Sequence, residues 1–357
     1  MRRLIALAIV LASAACTSLP PARVAHGPLP ATPAPPIRVD QAQGQASTTI
    51  DVLSFNVEGL AWPARRGRAP SLAKIGRILA QLNARGAAPD IILVQEMFSP
   101  AAVRALSQAG YRYRVWGPTR TQGRVLTGSG RVPGPRRWGK GETGFHLVGS
   151  GLAILSRYPI VAATSEPFGS RHCAGFDCLS NKGAQQARVM VPGVPSAIDL
   201  FNTHLNSQAE SRVPAARHGA AQALQRADLT RFLAATGSER LPAIIGGDFN
   251  MAGAPDRLEK LEEALSRYAM VHRFCAAPGS PCEVRLSWDG DEPWIDTEDL
   301  QLFRSGASVT ITPTRIEAMF DGTEGQPRLS DHDGLRVTYR LAWSVPSRPA
   351  VQDQQLP

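Results

Sequence analysis

The stretch "PAIIGGDFN", residues 242–250, decides how this chain is read. A short apolar run reaches Gly246 and Gly247 and then ends in Asp248 and Asn250. Such a run, bounded by glycine and too short for a helix, predicts a strand covered on both faces. An acid and an amide at the tip of a buried strand need partners, because burying them unpaired costs roughly a few kcal/mol each.

The same pattern recurs along the chain. "VLSFNVE" (52–58) carries Asn56, "IILVQE" (91–96) ends in Glu96, and "LFNTHLN" (200–206) carries His204 and Asn206. "SDHDGL" (330–335) places Asp331 and His332 just ahead of an alternating run that ends near Leu341. One such end would be unremarkable, whereas five either satisfy one another or bind something.

Between these strands, "SLAKIGRILAQLN" (71–83) has apolar residues at helical spacing with Ser71 as N-cap, and "SPAAVRALSQAG" (99–110) predicts a helix stopped by Gly110. A long helix is expected over 214–235. Strands and helices alternate early, and strands crowd late near 300–304, 308–312 and 334–341. That order predicts an α/β protein with two mainly antiparallel sheets packed face to face and helices outside. Residues 61–70 and 117–144, rich in Gly and polar residues, read as long loops.

The residue types at the strand ends suit metal-assisted attack on a phosphodiester. Glu96 and Asn56 are hard oxygen ligands of the kind Mg²⁺ accepts, and Mn²⁺ accepts the same set. His204 and His332 titrate near working pH, so one can activate water while the other protonates a leaving oxygen. Asp248 can orient a water or a His, and Asn250 can donate to a phosphate oxygen without adding charge. The remaining histidines, among them His146, His172, His218, His272 and His26, read as surface or loop residues.

Taken in order, "SFNVE", "VQE", "SGLAILSRYPI", "NTHLN", "GGDFN" and "SDHDGL" resemble the endonuclease/exonuclease/phosphatase superfamily from about Ile50 to Tyr339. The resemblance implies a four-layered α/β sandwich and a divalent-metal site. It implies Asn56 and Glu96 as holders of Mg²⁺, His204 with Asp248 and His332 with Asp331 as acid–base pairs, and Asn250 on the phosphate. Asp299, in "EDLQLFR", matches a further family aspartate that precedes a strand. "FDCLSNKGAQQARV" is similar to the Asp-x-x-x-x-Lys-Gly segment of neutral-sphingomyelinase members, placing Asp177, Lys182 and Gly183 on it. Lys182, Asn206 and Asp299 are therefore the expected substrate contacts. The resemblance implies a phospholipase-C-type phosphodiesterase acting on a phospholipid. A nuclease on DNA or RNA, and an inactive lipid- or surface-binding protein, stay open beside it.

Composition sets the frame. Hydrophobic residues at 43% and charged residues at 19% fit a globular protein and exclude a disordered chain. The net charge of +9 favours anionic partners, a phosphodiester or an acidic membrane surface, without choosing between them. "MRRLIALAIVLASAAC" (1–16) has the basic, apolar and small-residue zones of an export signal, and is too short to span a membrane. Cys16 after Ala14 and Ala15 resembles a lipoprotein cleavage box. Ser13 stands where that box prefers Leu, so a lipid anchor and simple cleavage both stay open. Periplasm, outer membrane or secretion is the expected destination.

Residues 17–47, rich in Pro and Ala, read as a linker, 48–343 as the catalytic domain and 344–357 as a flexible tail. A monomer is expected. The cysteines fall into Cys173 with Cys178 and Cys275 with Cys282, short-loop disulfides in an oxidising compartment. Neither pair has zinc spacing.

Overall fold

The computed structural model describes residues 19–25, 33–61, 64–126, 128–285, 297–322 and 327–346. Its larger sheet runs in the order β11 (Glu283–Arg285), β13 (Thr310–Met319), β14 (Gly334–Ser344), β2 (Gln45–Asn56), β3 (Ile91–Gln95), β5 (Ala153–Ser156), β4 (Tyr113–Trp116), with β1 (Arg38–Asp40) paired to β2. The smaller sheet runs β10 (Ala269–Met270), β12 (Asp299–Arg304), β9 (Ala243–Asp248), β8 (Ile198–His204), β7 (Gly183–Val189), β6 (Ile160–Pro167). The helices are α1 (Arg68–Ala84), α2 (Pro100–Ser107), α3 (Gln208–Ser211), α4 (Ala215–Thr236), α5 (Pro255–Ala264) and α6 (Val271–Ala276). Most strand pairs are antiparallel, and β2 with β3 and β8 with β9 are parallel.

The period-two pattern of β2 explains the layering. Ile50 and Val52 face the other sheet and pack with Ile91, Leu93, Leu200 and Ile244. Leu53 and Phe55 face outward onto Leu72, Ile75 and Leu79 of α1 and onto Val103 and Leu106 of α2. On the far side Phe201, Ile245 and Leu302 pack under Leu229 and Phe232 of α4 and Leu261 of α5. Helix, sheet, sheet, helix is thus the four-layered sandwich expected. Burying each large apolar side chain in these layers contributes about 1.5–3 kcal/mol.

The inter-sheet core also holds polar side chains. Gln95 Nε2 donates to Asn202 Oδ1 (2.7 Å), and Asn202 Nδ2 donates to the Val94 and Ala153 carbonyls (2.9 and 3.0 Å). Tyr339 donates to Gln301 Oε1 (2.9 Å), whose amide in turn donates to the Val52 carbonyl (3.1 Å). These bonds bridge the two sheets directly, and such buried partners fix register more sharply than apolar contact alone.

Several boundaries depart from expectation. Helix α1 starts at Arg68 with Gly67, in the left-handed region (φ 71°), as its N-cap rather than Ser71. The expected linker is in part built into the fold. Arg23 pairs with Arg114 on the open edge of β4, and Trp116 Nε1 donates to the Pro20 carbonyl (2.6 Å). Strand β1 pairs with β2, which begins at Gln45 rather than at Thr48. An edge strand carries unpaired backbone groups, and a nearby extended segment satisfies them. At the other end β14 continues to Ser344.

The disulfides Cys173–Cys178 and Cys275–Cys282 form as the cysteine spacing suggests. Cys16, the export signal, His26 and residues 347–357 lie outside the described residues. Among the described residues, no helix is long and apolar enough to cross a membrane.

Candidate active site

Topology gathers the strand ends. Two parallel pairs, β2–β3 in the larger sheet and β8–β9 in the smaller, bring Asn56 opposite Gln95 and His204 opposite Asp248. Antiparallel neighbours bring their starts to the same edge. Asp299, the first residue of β12, registers with Asp248, and Leu335 at the start of β14 registers with Ser54. Residues far apart in sequence therefore meet at one rim.

His332 stands at the centre of one half. Its Nδ1 lies 2.7 Å from Asp299 Oδ2, which places the proton on Nδ1 and turns Nε2 toward Asp248 Oδ2 (3.9 Å) and Glu298 Oε2 (3.5 Å). Burial opposes charge on this ring. Asp299, with Asp248 and Glu298, outweighs it and pushes the pKa up to about 11. Asn56 Nδ2 donates to Asp248 Oδ2 (2.9 Å), while its Oδ1 accepts from the Glu58 amide (3.0 Å). Burial, eased by His332, raises Asp248 to about 6.

The other half is cationic. His204, 2% exposed, has Nε2 3.0 Å from Lys182 Nζ and 3.2 Å from Asp248 Oδ2. Lys182 also donates to the Leu205 carbonyl (2.9 Å) and pairs with Asp177 Oδ1 (3.0 Å). Burial, and then the Lys182 ammonium, hold the His204 pKa well below its ordinary value, so the ring is neutral. His204 Nδ1 is buried without a hydrogen-bond partner among the described residues. Asn250 is fixed by its amide N–H on Asp248 Oδ1 (2.9 Å) and by Nδ2 on the Leu205 carbonyl (3.1 Å).

Glu96 and Asn250 adopt left-handed backbone, φ 59° and 52°. For Asn this is mild, but for Glu it costs on the order of 1 kcal/mol, a strain of the kind that collects at working sites. Burial raises the Glu96 carboxyl to about 7, with Lys182 opposing and Asp248 reinforcing the shift. No ion pair among the described residues includes Glu96. A carboxylate held without a cationic partner beside a second carboxylate fits a divalent cation, and Glu96 with Asn56 supplies the hard oxygens Mg²⁺ accepts. Among the described residues no cluster of three or more His, Cys, Asp or Glu forms a ready metal cage.

One expectation is corrected. Asp331 does not pair with His332. Its side chain, 47% exposed, meets Arg65 Nη2 (3.2 Å), and the same guanidinium reaches Glu210 through Nη2 (3.2 Å) and Glu58 through Nε (3.4 Å) at the rim. Both residues lie in a bend ahead of β14, where their side chains diverge, and the partner of His332 comes from β12. Asn206, expected as a substrate contact, is held within the fold. Its Oδ1 accepts from the Ala174 amide (2.9 Å) and its Nδ2 donates to the Ser207 carbonyl (3.1 Å), so its amide braces loops.

Lys182 and Asp299 do reach the centre, Lys182 through His204 and Asp299 through His332. Glu298 was missed, although it adjoins Asp299 in sequence. The histidines read as surface residues are in three cases buried: His172 pairs with Asp228 (2.6 Å), and His218 and His272 are both 0% exposed.

The Endonuclease/Exonuclease/phosphatase family matches residues 53–332, and the chain belongs to it. No curated protein sequence matches. Among solved structures the chain is similar to sphingomyelinase C from Streptomyces griseocarneus (20% identity, TM-score 0.54, 81% of this chain and 99% of that one). It is also similar to a Staphylococcus aureus beta toxin F277A, P278A mutant with bound magnesium ions (19%, 0.55, 83% and 100%). A third likeness is to humanized D. rerio TDP2 (16%, 0.54, 82% and 98%). Identities this low speak for the shared fold.

Proposed function

We propose that this chain is an exported, Mg²⁺-dependent phosphodiester hydrolase of sphingomyelinase type, cleaving its substrate in phospholipase-C fashion. The observation that carries the reading is the pairing of two opposed units across Asp248. His332 with Asp299 forms one, and His204 with Lys182 the other.

Glu96 and Asn56 would hold the metal. Mg²⁺ bound there would supply charge neutralisation at the phosphate. With its ring unprotonated, His332 Nε2 can take the proton of the attacking water, while Asp299 holds the ring in one tautomer and steadies the imidazolium that forms. On the opposite side the leaving oxygen receives its proton from the His204–Lys182 pair. Asp248 orients His204 and Asn56, and Asn250 faces the phosphate.

The Asp177–Lys182 pair lies on the segment similar to that of sphingomyelinases, which favours a phospholipid over a polynucleotide. Purified protein assayed with Mg²⁺ on sphingomyelin, other phospholipids, DNA and bis-nitrophenyl phosphate tests this. Hydrolysis of DNA but of no lipid would overturn it. A nuclease is the second reading; the +9 charge is compatible with it, and its polynucleotide affinity should fall steeply as salt rises.

A further inference from the structure

We propose that a cavity walled by the Cys173–Cys178 ring is a second anion-binding site, distinct from the strand-end centre, that takes a phosphate-bearing group. The cavity, about 370 Å³, is lined by Arg131, Arg136, Arg171, Arg217, His146 and one carboxylate, Glu142.

That carboxylate is already neutralised. Glu142 Oε1 accepts from Arg217 Nε (2.8 Å) and from the Gly175 amide (3.0 Å), and its other oxygen accepts from the Arg137 amide (2.8 Å). Arg217 is held further by the Pro133 and Pro135 carbonyls (2.5 and 3.2 Å). The pair is a fixed, neutral piece of wall. Among the described residues no ion pair includes Arg131, Arg136 or Arg171. Three guanidinium groups around one cavity, without carboxylates to match, create a positive potential that an anion relieves. The planar fork of arginine suits phosphate oxygens in particular. The missing side chain at Gly144 leaves room for the Arg136 guanidinium. Gly144 sits at φ 82°, and a Cβ there would come within 2.8 Å of Arg136 Nη1.

The ring ties this cavity to the strand-end centre. Asp177, the partner of Lys182, lies between the two cysteines, and the next residue, Cys178, lines the cavity. The Cys178 carbonyl lies 3.1 Å from His146 Nδ1, and both residues line the cavity. Trp138 and Phe145, 62% and 74% exposed, stand on the same loop, so a lipid headgroup is a source to test beside free phosphate.

The test reads binding, not turnover. Inorganic phosphate is titrated while the His146 imidazole resonance is followed by NMR. In the native chain the resonance should shift and saturate. In Arg136→Ala/Arg171→Ala the affinity should fall about tenfold or more, as expected for loss of charge-assisted contacts. Arg131→Ala/Arg171→Ala, changing two exposed residues, serves if the first variant does not fold. Co-sedimentation with mixed phosphatidylcholine–phosphatidylglycerol vesicles, against phosphatidylcholine alone, identifies the source. Vesicle binding lost in the arginine variants assigns the anion to a headgroup, and a phosphate response without vesicle binding assigns it to a soluble phosphate. A silent His146 resonance, or affinity unchanged in both variants, overturns the proposal.

Discussion

His332 and Asp331 are neighbours in sequence, yet the imidazole takes its carboxylate from Asp299, 2.7 Å away on another strand. This swap can be tested at single residues. Asp299→Ala should lower kcat about 100-fold or more, since the ring loses its tautomer and its counter-charge. Asp331→Ala, removing a rim contact with Arg65, should stay within about threefold. Equal losses from both would sink the assignment. The same residues show how much of the site was readable. Asn56, Glu96, His204, Asp248, Asn250 and His332 were each visible as polar tips on apolar runs. Asp331 was wrong and Glu298 unseen, because sequence adjacency does not report which face a side chain takes.

Strand β9 shows a constraint at the scale of an element. Gly247 has φ 152°, and a Cβ there would lie 2.1 Å from the Thr203 carbonyl oxygen of β8. Gly247→Ala must therefore push the two parallel strands apart, and Asp248 with them. A loss of roughly 2–4 kcal/mol by urea unfolding, together with most activity, is expected. Native stability with Ala at this position would contradict the register. Helix α4 carries a second prediction. His218, in its first turn, is fully buried, and burial, with Arg257 and Lys182 adding to it, lowers its pKa to about 4. A folded pKa below the unfolded value of 6.5 means the unfolded chain binds the proton first, so stability falls as pH drops from about 6.5 toward 4. Between pH 7 and 5 the loss should be about 2 kcal/mol from this group. Urea midpoints for His218→Gln should show a flatter slope over that range, and an unchanged slope would exclude His218 as the cause.

Across the whole molecule, two short covalent rings do different work: Cys275–Cys282 ties the end of α6 to the residue before β11, and the other holds a loop. The Cys173–Cys178 ring, with a sequence separation of 5, carries Asp177 to Lys182. In the loop-entropy picture a ring this small stabilises by about 2 kcal/mol. Cys173→Ser/Cys178→Ser should accordingly lower stability by about that amount, while far-UV circular dichroism stays native because both sheets are closed by apolar contact. Loss of the sheet signal in that variant would show that the ring supports the fold itself.

What the sequence determined by itself was the kind of layer each segment joins. Apolar runs with polar tips had to become buried strands ending at one place, and period-two alternation at Ile50, Val52, Leu53 and Phe55 assigned each side chain its face. Tertiary structure alone decided which tips meet. The Asp299–Asp248 register, the Asn202 and Gln301 bridges and the docking of Leu19–Ala25 on β4 all join segments distant in the chain. Hydrogen bonds of this kind depend on distance and direction in space, and a linear order of residues carries neither.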